Sequence, residues 1–377
     1  MEQKRVPLVI MRGGTSKGLY IKANDLPADQ KERDELILRL FGSPDIRQID
    51  GLGGADALTS KLAIIGPSAS PDADVDYTFA QISLKERVVD YGGNCGNISS
   101  GVGPFAIDES MVAAVEPVTR VRIRNTNTDK MLYAEVEVKD GKARVKGDCE
   151  IAGVPGTGSP IQLDFAGTAG AATGKVLPTG NVVDVLETSR GPIEASIVDV
   201  ANPCVFVRAR DVGMKGTETP AEIDGNAELL ALLEEIRSKC CAMIGMAKDP
   251  ADATKNSPAF PMVAFVTEAG DYTDFTTGKT IKKDEVDFVS RLMFMQKLHK
   301  TYAGTATACT GAAAKIKGTI VNQVIPHIDS IDTIRIGHPA GVIPVVAAVE
   351  GTQVKKTALV RTARRLMEGY ALVPDED

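Results

Sequence analysis

Short apolar runs with strand character at residues 6–11, 62–65 and 75–84 are separated by clusters of Gly, Pro, Asp and Asn. This pattern predicts that β-structure dominates the N-terminal half. The clearest hairpin signal lies in residues 118–147. Apolar positions alternate in MLYAEVEV and KARVKG on either side of Asp140 and Gly141, a pair that tolerates positive φ. Helical spacing appears in two places. Residues 29–41 are amphipathic, and residues 221–246 carry Leu229, Leu230, Leu232, Leu233 and Ile236 on a helical repeat, so both read as outer helices.

A chain of 377 residues exceeds the size at which one hydrophobic core usually keeps growing, so two domains are expected. The Gly-rich stretch at 177–181, after the small-residue run 166–174, is the expected crossing. This gives an N-terminal domain of residues 1–182 and a C-terminal domain of 183–354. Each half also contains a cysteine beside a stretch of small residues suited to a buried helix. Gly92 to Asn97, around Cys95, lead into 98–107, and Thr307 to Gly311, around Cys309, lead into 312–316. Read this way, each half starts a helix at a cysteine, which suggests an internal duplication.

Composition narrows the chemistry. With 43% hydrophobic and 25% charged residues the chain reads as an ordinary globular protein, and without Trp its core must be built from Val, Ile, Leu and Ala. No apolar run approaches the roughly 20 residues of a membrane helix, and the N-terminus lacks a signal-peptide core, so a cytoplasmic protein without membrane contact is expected. Six scattered cysteines read as free thiols. A net charge of −7 without a basic block argues against nucleic acid. Three histidines without ligand spacing, and no CxxC, argue against a metal.

Three clusters could carry chemistry. A cysteine at a helix N-terminus meets unpaired N–H groups and the positive end of the helix dipole, both of which stabilise a thiolate. Cys95, between Gly and Asn, has little apolar context to account for it otherwise, whereas Cys149, Cys204, Cys240 and Cys241 read as small buried hydrophobes. Arg12 to Gly18, after a predicted strand, is either a plain hairpin turn or a Gly-rich turn whose N–H groups hold a carboxylate or phosphate. It lacks the Walker order. Lys61 opens an apolar run after Asp50 to Ser60, and is either a snorkelling strand-end lysine or a partly desolvated proton carrier. His338 lies in a glycine-flanked loop that suits either a turn or a ligand contact.

Together the strings MRGGTSKG (11–18), IDGLGGADALTSK (49–61), GNCGN with SGVGPFAI (93–107), LPTGN (177–181), ANP (201–203), GHPAG (337–341) and RTARRLMEG (361–369) resemble the PrpF-like family. The resemblance spans nearly the whole chain. It implies an α+β, diaminopimelate epimerase-like fold: two similar domains, each a barrel-like sheet around a central helix, with the active site in the cleft between them and residues 355–377 completing the first. It also implies a cofactor-independent allylic isomerase that shifts a C=C bond by 1,3-proton transfer in a small unsaturated di- or tricarboxylate. The preferred substrate is 3-methylitaconate, converted to 2,3-dimethylmaleate. The alternatives are 4-oxalomesaconate tautomerisation and 2-methylaconitate isomerisation, or a carboxylate-binding accessory protein without chemistry. Lys61, Cys95 and Cys309 become catalytic candidates, with the role of Cys309 open. Thr15, Ser16, Asn94, Gly96, Asn97, Thr310, Gly311 and His338 become the expected substrate contacts. No cofactor and no metal are expected, and the enzyme is expected to be a homo-oligomer.

Overall fold

The computed structural model describes residues 2–374, which divide into two compact units. One runs to Leu163 and resumes at Arg361; the other is Asp164–Val360. The division falls earlier than the expected boundary at 182. Residues 164–182 belong to the second unit because its strands hold them: Asp199 accepts from the N–H groups of Gly170, Ala172 and Thr173, and its own N–H donates to Val176.

The first unit contains β1 (Gln3–Gly13), β2 (Ser16–Lys22), α1 (Gln30–Phe41), β3 (Lys61–Pro67), β4 (Val75–Ile82), α2 (Gly96–Asp108), β5 (Val118–Asn125) and β6 (Lys130–Lys139). β1 and β2 form a hairpin, β2 pairs in parallel with β3, β3 antiparallel with β4, β4 in parallel with β5, and β5 antiparallel with β6. The free edge of β1 is taken by the strand Ala363–Pro374. α1 packs outside, capped by Asp29, whose carboxylate accepts from the Glu32 N–H, and ended by Gly42 in the left-handed region. α2 is buried from Gly96 to Ile107. Its small residues permit this: a Cβ on Gly101 would lie 2.4 Å from the Tyr20 hydroxyl.

The second unit repeats the order. β7 (Gly191–Val200) and β8 (Asn202–Arg208) form a hairpin, α3 (Ala227–Met243) follows, and β8 pairs in parallel with β9 (Met262–Glu268). β9 pairs antiparallel with β10 (Phe288–Phe294), the buried α4 (Gly304–Lys315) intervenes, β10 pairs in parallel with β11 (Thr333–His338), and β11 antiparallel with β12 (Gly341–Glu350). Hairpin, outer helix, parallel step, antiparallel step, buried helix, parallel step and hairpin recur in one order, which is the topology a duplication predicts. α4 packs on β7, β8 and β12 within an aliphatic core that includes Val198, Phe206 and Val345.

Local expectations fare differently. Asp140 and Gly141 do form a two-residue turn with both φ positive, although the returning strand spans only Lys142–Ala143. The long helix expected at 221–246 is two helices, Pro220–Asp224 and Ala227–Met243. The break comes at Gly225 and Asn226 because the Asn226 side chain caps the second helix by accepting from the Leu229 N–H. Among the described residues, no helix is long and apolar enough to cross a membrane.

Candidate functional site

Three segments of the first unit meet at the start of α2. Cys95 is the N-cap residue of this helix, with extended φ and ψ of −120° and 102°, and it is half-buried. The β1–β2 turn is tied to the first helical turn by Asn97, whose Oδ1 accepts from the Thr15 N–H at 3.3 Å and from Arg361 Nε at 3.2 Å. The same turn is tied to the loop preceding β3, because the Lys17 N–H donates to the Leu58 carbonyl at 3.0 Å. Thr15, Ser16, Asn94, Gly96 and Asn97 thus stand around one helix N-terminus, while Lys61 opens the strand attached to the same turn. Asn94 accepts from the Ser99 hydroxyl at 3.1 Å, which holds the residue before Cys95 to the helix.

The electrostatics of this corner favour an anion. The positive end of α2 and the fully buried guanidinium of Arg361 converge on Asn97. Burial lowers Arg361 to about 10. Ser16 is 2% exposed, and its Oγ has no hydrogen-bond partner among the described residues. A buried hydroxyl left in this state is suited to a ligand oxygen. Tyr20 and Tyr77 are held well above the usual phenol range, first by burial and then by their closeness to the Cys95 sulfur, so both stay neutral. Tyr20 donates to the Ile98 carbonyl at 2.6 Å.

Lys61 is not a snorkelling lysine. It is 4% exposed, its Nζ donates to Gln81 Oε1 at 2.8 Å, and it lies 5.3 Å from the centroid of the Phe79 ring. Beside it in the parallel register stands Gly18. A Cβ there would lie 2.5 Å from the Lys61 carbonyl, so only glycine lets β2 run this close.

The second unit corrects the expectation for Cys309. α4 starts at Gly304 with Ala303 as its N-cap, so Cys309 lies in mid-helix rather than at a helix start. It is completely buried in the aliphatic core, where its thiol donates to the Val198 carbonyl at 3.2 Å. Nearby, burial and then Cys309 push the Cys204 thiol far up, as expected of a thiol packed in an apolar core. Thr310 and Gly311 are also core residues. Thr310 Oγ1 lies 3.2 Å from the Tyr302 hydroxyl, and Gly311 makes room for Val345. The α4 residues that match Cys95, Gly96 and Asn97 in position are Ala303, Gly304 and Thr305, and Asn202 donates to Thr305 at 2.9 Å. The signal was available in the parallel between Ala-Gly-Thr and Cys-Gly-Asn. His338 is 1% exposed and belongs to a tight turn, its Nδ1 accepting from the Ala340 N–H at 3.2 Å. Sequence reading missed Arg361 and Gln81 as members of the first-unit site, although Arg361 opens the RTARRLMEG string.

The family model described as PrpF protein matches residues 3–374. This chain belongs to the PrpF family. Over 372 residues it is 72% identical to the 3-methylitaconate isomerase of Eubacterium barkeri, with 99% of this chain and 98% of that one covered. Among solved structures, a methylitaconate-delta-isomerase superposes with a TM-score of 0.86 at 71% identity, covering 99% of this chain and 97% of the other. A hydroxyproline epimerase from Agrobacterium vitis shares the fold alone, with a TM-score of 0.58 at 13% identity over 98% of this chain and 93% of its own. This PrpF member therefore has the α+β, diaminopimelate epimerase-like fold, with α2 and α4 as the two central helices.

Proposed function

We propose that this PrpF protein is an isomerase that converts 3-methylitaconate to 2,3-dimethylmaleate by a 1,3-proton shift. The observation that carries the substrate is the 72% identity over 99% of the chain to a 3-methylitaconate isomerase. The reaction removes the proton from the carbon that bears the methyl group, moves the double bond inward, and returns a proton to the former methylene carbon. No other atom is gained or lost. A proton α to a carboxylate is very weakly acidic, so the site must stabilise the dienolate that forms. The α2 N-terminus, Arg361 and the Ser16 hydroxyl supply that stabilisation. Lys61 and Cys95 are the two proton carriers.

This reading places the chemistry in the first unit, since Ala303 and Met262 stand in the second where Cys95 and Lys61 stand in the first. We take Cys309, Thr310, Gly311 and His338 as structural, and the enzyme as a cytoplasmic homo-oligomer working without a cofactor. The test is ultraviolet monitoring of the purified protein with 3-methylitaconate, 2-methylaconitate and 4-oxalomesaconate, with and without chelator. The expected result is chelator-insensitive turnover with the highest kcat/KM for 3-methylitaconate. Tight binding of these acids without turnover of any would instead make the protein a carboxylate-binding accessory.

A further inference from the structure

Lys61 and Gln81 are directly opposed residues in the antiparallel register of β3 and β4, so their side chains leave the sheet on one face. Gln81 Oε1 accepts from Lys61 Nζ at 2.8 Å. Its Nε2 donates to the Ala57 carbonyl at 3.1 Å and to the Ser60 carbonyl at 3.0 Å. Both carbonyls are acceptors only, so the amide cannot flip. Turning it over would set oxygen against two oxygens and an NH2 group against the lysine. The backbone of the loop before β3 therefore fixes which atom Gln81 offers to Lys61. That loop is itself braced, since the Ser60 hydroxyl donates to Gln48 Oε1 at 2.7 Å, and Gln48 Nε2 donates to the Ser43 hydroxyl at 3.0 Å.

We infer that Gln81 is the positioning residue for the proton carried by Lys61. The inference rests on the reading of Lys61 as a proton carrier. A lysine amine has two N–H bonds and one lone pair, and its ammonium has three N–H bonds. An acceptor with a fixed direction engages one N–H in either state. Gln81 therefore holds one N–H throughout the cycle and so fixes the orientation of the other directions on the nitrogen, one of which exchanges the proton with the substrate carbon. A neutral amide does this without the strong attraction of a carboxylate, which would keep the proton on nitrogen. The Phe79 ring beside Nζ supports the ammonium in the same moderate way.

The experiment replaces Gln81 by Met and, separately, by Leu, both of which keep bulk and remove the amide. Folding is checked by circular dichroism and thermal melting, and Lys61→Ala is assayed beside them on 3-methylitaconate. The expected result is a folded variant whose kcat falls at least tenfold while KM stays within about threefold, with exchange of substrate hydrogen in D2O slowed in step. A folded variant with kcat within twofold of the parent overturns the inference, as does a joint change in kcat and KM. Failure of both variants to fold overturns it too, because Gln81 would then be a purely structural tie. Parent-like turnover by Lys61→Ala overturns the underlying reading of Lys61 instead, so the two failures are told apart.

Discussion

Cys95 and Ala303 hold the same place in the two units, each the N-cap of a buried helix that begins with glycine. A thiol at this position in one unit and a methyl group in the other makes the pair of units chemically unequal. A reaction that works both faces of one carbon with two thiols needs a second thiol, whereas an allylic shift on one face does not.

Cys95→Ser is accordingly expected to lower kcat by at least 10²-fold, as loss of a proton carrier does. Cys309→Ser should retain turnover within a few-fold and cost about 1–2 kcal/mol of stability, because it puts a more polar group into an apolar core. Parallel turnover assays, D2O exchange and denaturant melts check this. Equal collapse of both variants would return Cys309 to the chemistry and require a two-cysteine mechanism.

Iodoacetamide gives an independent reading. Of the six thiols, four are buried, and only Cys95 and Cys149 are half-buried. Burial pushes the Cys149 thiol up, only partly offset by Arg361. Cys95 at its helix start is expected to be alkylated first at about neutral pH, with dimethylmaleate slowing the reaction; peptide mass mapping over time checks the order.

Lys61→Ala should abolish turnover and also destabilise the fold by about 1–3 kcal/mol, since it strands the Gln81 oxygen. Burial makes this cost larger than a surface lysine would show. Measuring both quantities on one preparation separates the catalytic loss from the structural one. Turnover above about a tenth of the parent rate would assign the proton to another residue.

Gly18→Ala tests the close approach of β2 to β3. The added methyl meets backbone rather than a side-chain tip, so the strand must move, at about 1–3 kcal/mol. Because the atom it meets is the Lys61 carbonyl, kcat is expected to fall tenfold or more. A melt and a rate assay that show neither change would mean that the two strands separate freely.

Away from the site, Asp287 offers a pH test. Burial acts to raise its carboxyl, but hydrogen bonds from the Arg335 side chain and N–H outweigh this and hold it below the usual carboxylate range. A depressed folded value means that the stabilisation is present above the unfolded value of about 3.9 and is lost as pH falls through the folded one. Asp287→Asn should therefore lower stability at neutral pH, and the gap from the parent should close below about pH 4. Urea melts across pH check the sign. A gap that widens in acid would contradict it.

Local chemistry was the most legible part of the sequence. The positive-φ pair Asp140-Gly141 is a short-range device and formed, as did the amphipathic helix read over 29–41, which runs Gln30–Phe41. Cys95 stood out because glycine and asparagine surround it. α4 was misplaced by several residues because Ala, Thr and Gly fill both its first turn and its middle, leaving no polarity change to mark where it starts. The burial of Lys61 was illegible because it depends on the register that brings Gln81 opposite, twenty residues on. Arg361 was further out of reach, since its hydrogen bond to Asn97 joins residues separated by 264 positions.

That last separation has a consequence for biosynthesis. β1 is translated before residues 164–360, yet its outer edge and the guanidinium beside Asn97 are supplied only after those residues have been made. The second unit can fold while the first waits with an open, apolar strand edge, the kind of surface that chaperones recognise. Competence for catalysis thus arrives in one step, only after the second unit has been made, when the segment 361–374 docks on β1.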